Sequence, residues 1–159
     1  MMVLSMVPAT AFAAKDAGTP PTYNSATGCY EISTPAQLLY LAGKWKDGAP
    51  RDGHYVLTAD IDMTGVKGFK PIASKKDQGF TGTFDGQFHS IKGLRVEYEK
   101  KYAGLFGYVG NQDDQAYIKN VALLDCYVTG QQNVGALAGV NYGTITDCVV
   151  TGEVKCLDL

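Results

Sequence analysis

Glycines return at matching places in two stretches of this chain. One runs Val134-Gly135-Ala136-Leu137-Ala138-Gly139-Val140-Asn141-Tyr142-Gly143-Thr144-Ile145-Thr146-Asp147-Cys148-Val149-Val150-Thr151-Gly152. An imperfect earlier copy runs Ala103-Gly104-Leu105-Phe106-Gly107-Tyr108, resumes at Ile118-Lys119-Asn120-Val121 and ends Cys126-Tyr127-Val128-Thr129-Gly130. A unit of this size cannot bury an apolar face alone, so repetition predicts stacked coils, a solenoid. With a period of about 22 residues, three pairs fall one repeat apart and are expected to stack: Cys126 with Cys148, Val128 with Val150, and Gly130 with Gly152. The two glycines are expected to turn corners at positive φ. Asn120 suits a corner too, because Asn tolerates left-handed backbone.

Composition supports β structure. The 159 residues include 19 glycines and 10 tyrosines, beside many Thr and Val, and that mixture favours strands joined by tight turns. The length allows one domain at most, or part of one. A formal net charge of −2 and the lack of lysine runs argue against nucleic acid and against a membrane-surface patch. None of the four cysteines, Cys29, Cys126, Cys148 and Cys156, forms a Cys-x-x-Cys pair, which disfavours a zinc or redox motif. Equivalent positions on adjacent coils lie about 4.8 Å apart. Cys126 and Cys148 are therefore expected either as a buried stack of thiols or as a disulfide, and both readings stay open.

Residues 1–13 read as the tail of a secretory signal peptide: an apolar run, Pro8, then Ala11-Phe12-Ala13 as a cleavage site, without a basic n-region. The run is too short to span a bilayer. Residues 14–28, rich in Pro, Thr, Ser and Gly, read as a flexible linker, and Cys29 to Ile32 as a short strand. A helix is expected over 35–46, with Thr34 as N-cap, Pro35 in the first turn and Gln37 completing a capping box. Leu38, Leu41, Ala42 and Trp45 make its apolar face, and Lys44 and Lys46 suit its last turn. Such a helix would cover the open first coil of a solenoid.

Strands are expected at Tyr55–Met63, Phe80–Phe84, Phe88–Val96, Gly104–Val109, Tyr117–Thr129, Val134–Val140 and Thr144–Val154, with Asn111–Gln115 as a loop bulging from a coil. Leu159 falls where a further coil would open, with no polar cap before it, so a C-terminally truncated solenoid is expected.

These residues resemble the GLUG-motif proteins, secreted and surface-displayed bacterial proteins. The resemblance is most specific at Gly135-Ala136-Leu137-Ala138-Gly139, Asn141-Tyr142-Gly143-Thr144-Ile145 and Thr151-Gly152, with alanine at 136 where the family often has glycine. It extends through Leu57-Thr58-Ala59-Asp60-Ile61-Asp62, Phe80-Thr81-Gly82-Thr83-Phe84-Asp85-Gly86 and Gly104-Leu105-Phe106-Gly107, and covers roughly Cys29 to Val154. GLUG-like coils fall at 103–130 and 134–154. The resemblance implies an all-β, right-handed parallel β-helix of the pectate-lyase type over 29–159. It also implies modules that accompany adhesins and IgA-cleaving zinc metallopeptidases. The family has no agreed catalytic residues to carry over.

Candidate chemistry is sparse. Asp60 and Asp62, with Asp85, could form an acidic groove for calcium, but a full ligand set is missing, and solvent-facing side chains and a turn at Asp85 are the reading taken. His54 reads as a loop residue and His89 as a structural residue near a corner; no His-Glu-x-x-His occurs. Lys75, Lys76 and Asp77 read as a solvated loop. Lys92 and Arg95 are the basic residues a polysaccharide lyase could use. Tyr98, Tyr102, Tyr108, Tyr117, Tyr127 and Tyr142 could stack on sugars, though Tyr is also a common strand residue. No catalytic, cofactor-binding or metal residue is assigned and no cofactor is expected.

The function expected is a non-catalytic, secreted or cell-surface module for adhesion or presentation, with host or bacterial-surface glycans or proteins as partners, and neither nucleic acid nor membrane insertion. The alternatives are a carbohydrate-active enzyme on the same fold and a non-catalytic N-terminal module of a secreted zinc metallopeptidase.

Overall fold

The structure is a computed structural model that describes residues 18–43 and 49–157. The expected signal peptide, Trp45, Lys44 and Lys46 lie outside the described residues. Thirteen strands and one α-helix follow in chain order: β1 (Thr22–Asn24), β2 (Cys29–Ile32), α1 (Pro35–Gly43), β3 (His54–Leu57), β4 (Ile61–Asp62), β5 (Thr83–Asp85), β6 (Ser90–Lys92), β7 (Arg95–Ala103), β8 (Phe106–Val109), β9 (Tyr117–Lys119), β10 (Ala122–Val134), β11 (Ala138–Asn141), β12 (Thr144–Thr146) and β13 (Val149–Cys156).

Every pairing from β2 onward is parallel and joins one coil to the next, so the chain winds as a parallel β-helix with three faces. The first face stacks β2, β3, β5, β9 and β12; the second stacks β4, β6, β10 and β13, with β7 also on β10; the third pairs β8 with β11. Inward positions form columns. Tyr30, Tyr55, Phe84, Ile118 and Ile145 are register partners along the first face, as are Ile61, Ile91, Leu123 and Val150 along the second. Tyr55, Phe80, Phe106 and Phe84 meet where the faces converge, with centroid distances of 6.1, 5.1 and 5.4 Å in that order. Burying each such ring contributes roughly 1.5–3 kcal/mol, which is what ties one coil to its neighbours.

The N-terminal end is closed as the capping signals predict. The Gln37 N–H donates to Thr34 Oγ1 at 3.2 Å, and Gln37 Oε1 accepts from the Ser33 N–H at 2.8 Å. Gln37 Nε2 reaches Thr22 Oγ1 at 3.3 Å, which ties α1 to β1. Leu38 and Leu41 are buried beneath the helix. Part of the expected linker is structured: β1 pairs antiparallel with β2, and a turn held by Asn24 Oδ1 accepting from the Ala26 N–H joins them.

Corners divide several runs read as single strands. Tyr55–Met63 splits into β3 and β4 on different faces, and His54 opens β3 rather than lying in a loop. Between the first and second faces, left-handed residues stack coil on coil: Phe88 (φ 63), Asn120 (φ 55) and Asp147 (φ 52). The Phe88 N–H donates to Asn120 O, and the Asn120 N–H to Thr146 O. Asn120 therefore does turn a corner.

The expected period of about 22 residues is corrected. Val128 pairs with Val154, not Val150, and Val150 pairs with Leu123. Cys126 pairs with Gly152 and Gly130 with Cys156, so neither Cys126 and Cys148 nor Gly130 and Gly152 stack. Partners on β10 and β13 lie 27 residues apart at Leu123 and 26 at Cys126, and the register shift between them accounts for that one residue; the 22-residue spacing of the two cysteines is not the length of a coil. Gly152 does have positive φ, at 137°. Gly130 lies inside β10, where a Cβ would sit 2.6 Å from Ala103 Cβ; it is glycine for space.

Candidate functional site

Most of the motif glycines are explained by close approach between coils, while a Cβ on Gly135 would meet Ala138 of its own coil. A Cβ on Gly104 would lie 2.7 Å from Gly135 O, and one on Gly139 would lie 2.8 Å from Tyr102 Cα and 2.9 Å from Gly107 O. The repeated residues thus build the wall between β8 and β11. What remains for recognition is the outward surface.

The tyrosines divide into groups. Tyr108 and Tyr142 stack with centroids 5.7 Å apart and planes at 27°, and Tyr102 meets Tyr108 edge-on at 5.5 Å. Tyr108 is 5% exposed and Tyr142 51%. Burial, then the neighbouring Tyr142 hydroxyl, pushes the Tyr108 phenol up from its ordinary value. Tyr127 lies on the second face, under the Arg95 guanidinium at 4.3 Å and the Lys155 ammonium at 5.6 Å. Tyr98 is half-buried against the core, and Tyr117 is exposed on the first face apart from the others.

A cleft of about 270 Å³ opens beside the Tyr108–Tyr142 stack. Arg51, Lys76, Asp77, Gln112 and Asp113 complete its rim. Lys76–Gln78 forms a 3-10 turn on one side. On the other, Asn111 shapes the loop: its Oδ1 accepts from the N–H groups of Asp113 at 2.8 Å and Asp114 at 2.6 Å. Sequence reasoning missed this rim because Arg51, the 76–78 turn and the 111–115 loop are far apart in the chain and each alone reads as solvated. The available signal was Tyr142 directly after Asn141, with Tyr108 directly after Gly107 in the matching stretch of the earlier copy.

A second hollow, about 290 Å³, lies among Val66, Lys67, Arg95 and Glu97. There Arg95 Nη2 donates to Glu97 Oε1 at 2.9 Å, which holds the Glu97 carboxyl below its ordinary range and the guanidinium above its own. Lys92 faces Asp125 at 4.0 Å. The two basic residues offered for lyase chemistry therefore each have an acidic partner.

The three carboxylates do not converge. Asp60 Oδ1 accepts from the Ser90 N–H at 2.7 Å and lies 3.3 Å from His89 Nδ1. The Ser90 bond, more than His89, holds its carboxyl below the ordinary range. Asp62 accepts from the Thr64 N–H at 2.9 Å. Asp85 belongs to the first face and engages Asn120 and Lys119. Among the described residues no three His, Cys, Asp or Glu side chains group so as to hold a metal ion. All four cysteines are free thiols, and burial pushes the Cys126 and Cys148 thiols up. No helix among the described residues is long and apolar enough to cross a membrane.

Comparison with known proteins agrees with this architecture. The chain is 34% identical over 135 residues to halomucin of Haloquadratum walsbyi, covering 79% of this chain and 1% of halomucin. It is 33% identical over 130 residues to a protein of Evansella cellulosilytica described as "Putative Gly-rich membrane protein", covering 76% of this chain and 14% of that protein. The chain thus spans a small part of either relative's length. A solved structure titled "Crystal structure of a putative immunoglobulin A1 protease from Bacteroides ovatus" superposes with a TM-score of 0.62 at 23% identity, covering 77% of this chain and 37% of that one; it shares the fold. Residues 130–155 match the family described as "The GLUG motif", so the chain carries that motif, seated on β10 to β13 of a parallel β-helix.

Proposed function

We propose that this chain is a non-catalytic, extracellular β-solenoid module that serves attachment or presentation at a bacterial surface. The observation that carries the reading is the use of the motif itself. Gly139, Gly143 and Gly152 admit the backbone of the neighbouring coil, so the repeated residues read as an extensible scaffold rather than a reacting centre. The relatives support the same reading: one is described as a membrane protein, and the matched segment is a small part of each. The His89–Asp60 pair and Lys92 belong to corner and ladder contacts, and no nucleophile is assigned to them.

The test has two arms. Beads carrying the chain are offered whole bacterial cells and host glycoproteins, and retention is counted. The chain is also incubated with acidic and neutral polysaccharides, and new reducing ends or unsaturated products are followed. Retention without product is expected. Loss of retention against every surface overturns attachment, and product formation overturns the non-catalytic reading.

A further inference from the structure

Several charged side chains among the described residues are committed to the chain itself. Asp60, Asp62 and Asp85 accept from nearby N–H groups or side chains, and Arg95 and Lys155 pair with Glu97 and Glu153. The cleft beside Tyr142 instead gathers uncommitted groups of both signs around an aromatic ring. Among the described residues, the side chains of Arg51, Lys76, Asp77, Gln112 and Asp113 have no hydrogen-bond or ion-pair partner, although all five line one cleft.

We propose that this cleft is a carbohydrate subsite that takes one neutral pyranose unit of a glycan, an inference that rests on the attachment reading and names its ligand class. A pyranose has an apolar C–H face and a rim of hydroxyls. Tyr142 offers a half-exposed ring for the face. That ring is already fixed by its stack on buried Tyr108, which Tyr102 supports edge-on, so little freedom is lost when a sugar covers it. For the rim, the carboxylates of Asp77 and Asp113 accept, Arg51 and Lys76 donate, and Gln112 does both. Two cations and two carboxylates balance, so no net field selects an acidic sugar. The loop that carries Gln112 and Asp113 is held by the Asn111 carboxamide, whose Nδ2 also donates to Asp114 Oδ2 at 3.1 Å, and the rim is formed before ligand arrives.

Affinity electrophoresis of the full chain tests this, in gels containing dextran, galactomannan, xylan or polygalacturonate. At least one neutral polymer is expected to retard the chain. Tyr142→Ala is expected to weaken that retardation roughly tenfold, Tyr142→Phe to retain most of it, and Tyr117→Ala, an exposed tyrosine on another face, to leave it unchanged. Far-ultraviolet circular dichroism checks that each variant folds. Retardation by no neutral polymer, retardation by polygalacturonate alone, or equal effects of Tyr142→Ala and Tyr117→Ala each overturns the subsite. Bead retention of cells separates the two ideas: retained cells with no polysaccharide retardation sink the subsite and leave attachment standing, and failure of both sinks both.

Discussion

The Asn120 side chain donates to Asp85 Oδ1 of the preceding coil at 2.9 Å, while Asn120 itself sits at φ 55°. One residue therefore satisfies a left-handed corner and pins the coil beneath it. Asn120→Gly keeps the corner and removes the bond, an expected loss of about 1 kcal/mol. Asn120→Ala removes the bond and adds backbone strain, so it is expected to cost about 1 kcal/mol more than the glycine variant. Urea unfolding of the two variants measures the difference.

Asp85 also gives an acid dependence. Partial burial opposes its charged form, but the Asn120 side chain, the Gln87 N–H and Lys119 outweigh that, and the carboxyl titrates below its ordinary range. Its folded value is thus lower than its unfolded one, about 3.9. The resulting stability is present above about pH 4 and is lost as pH falls through the folded value. Asp85→Asn is expected to flatten this part of the stability profile, measured as denaturation midpoints between neutral and acid pH.

Glycines with different reasons for being glycine separate by substitution. At Gly139 a Cβ would stand 2.5 Å from Asn133 O and 2.8 Å from Tyr102 Cα, both backbone atoms. Gly139→Ala is expected to cost about 1–3 kcal/mol, the usual range for overpacking. At Gly28 nothing lies within 4 Å, and only φ, +71°, disfavours a side chain; Gly28→Ala is expected to cost about 1 kcal/mol. Thermal and chemical denaturation give the ranking.

Position along a column sets the cost of a cavity. Leu123 is fully buried, whereas its partner Val150 is 42% exposed. Leu123→Ala is expected to cost about 2–5 kcal/mol, and Val150→Ala about 0.5 kcal/mol or less. Equal losses from the two would contradict the register of β10 on β13.

The outer edges of β12 and β13 have no strand partner among the described residues, and Val149, Val150 and Val154 stand exposed there. An unpaired apolar edge recruits other strands. A protein of these residues is expected to associate as concentration rises, and Val150→Lys with Val154→Lys to suppress it, read by sedimentation velocity.

Much of the fold was legible because local signals agreed with the global one. Thr34, Pro35 and Gln37 marked the capping helix, Asn120 marked a corner, and the paired glycines marked stacked coils. The coil length was not legible. Cys126 and Cys148 lie 22 residues apart in sequence, but partners on β10 and β13 lie 26 or 27 apart, so the spacing of two like residues was not the length of a coil. Corners were hidden where alternation continues through them, as from Tyr55 to Met63. The six tyrosines could be named as sugar contacts but not sorted, since only the third dimension brings Tyr102, Tyr108 and Tyr142 together.

The Asn111–Gln115 loop leaves the ladders at Gly110 and rejoins them at Ala116, both buried. Extra residues between those stems would displace no core column, and lengthening a surface loop costs little. The mouth of the cleft can therefore diverge while the interior stays constant. Two proteins built on this scaffold can share nearly every inward side chain and still favour different guests, so likeness of the core is a weak guide to what each one holds.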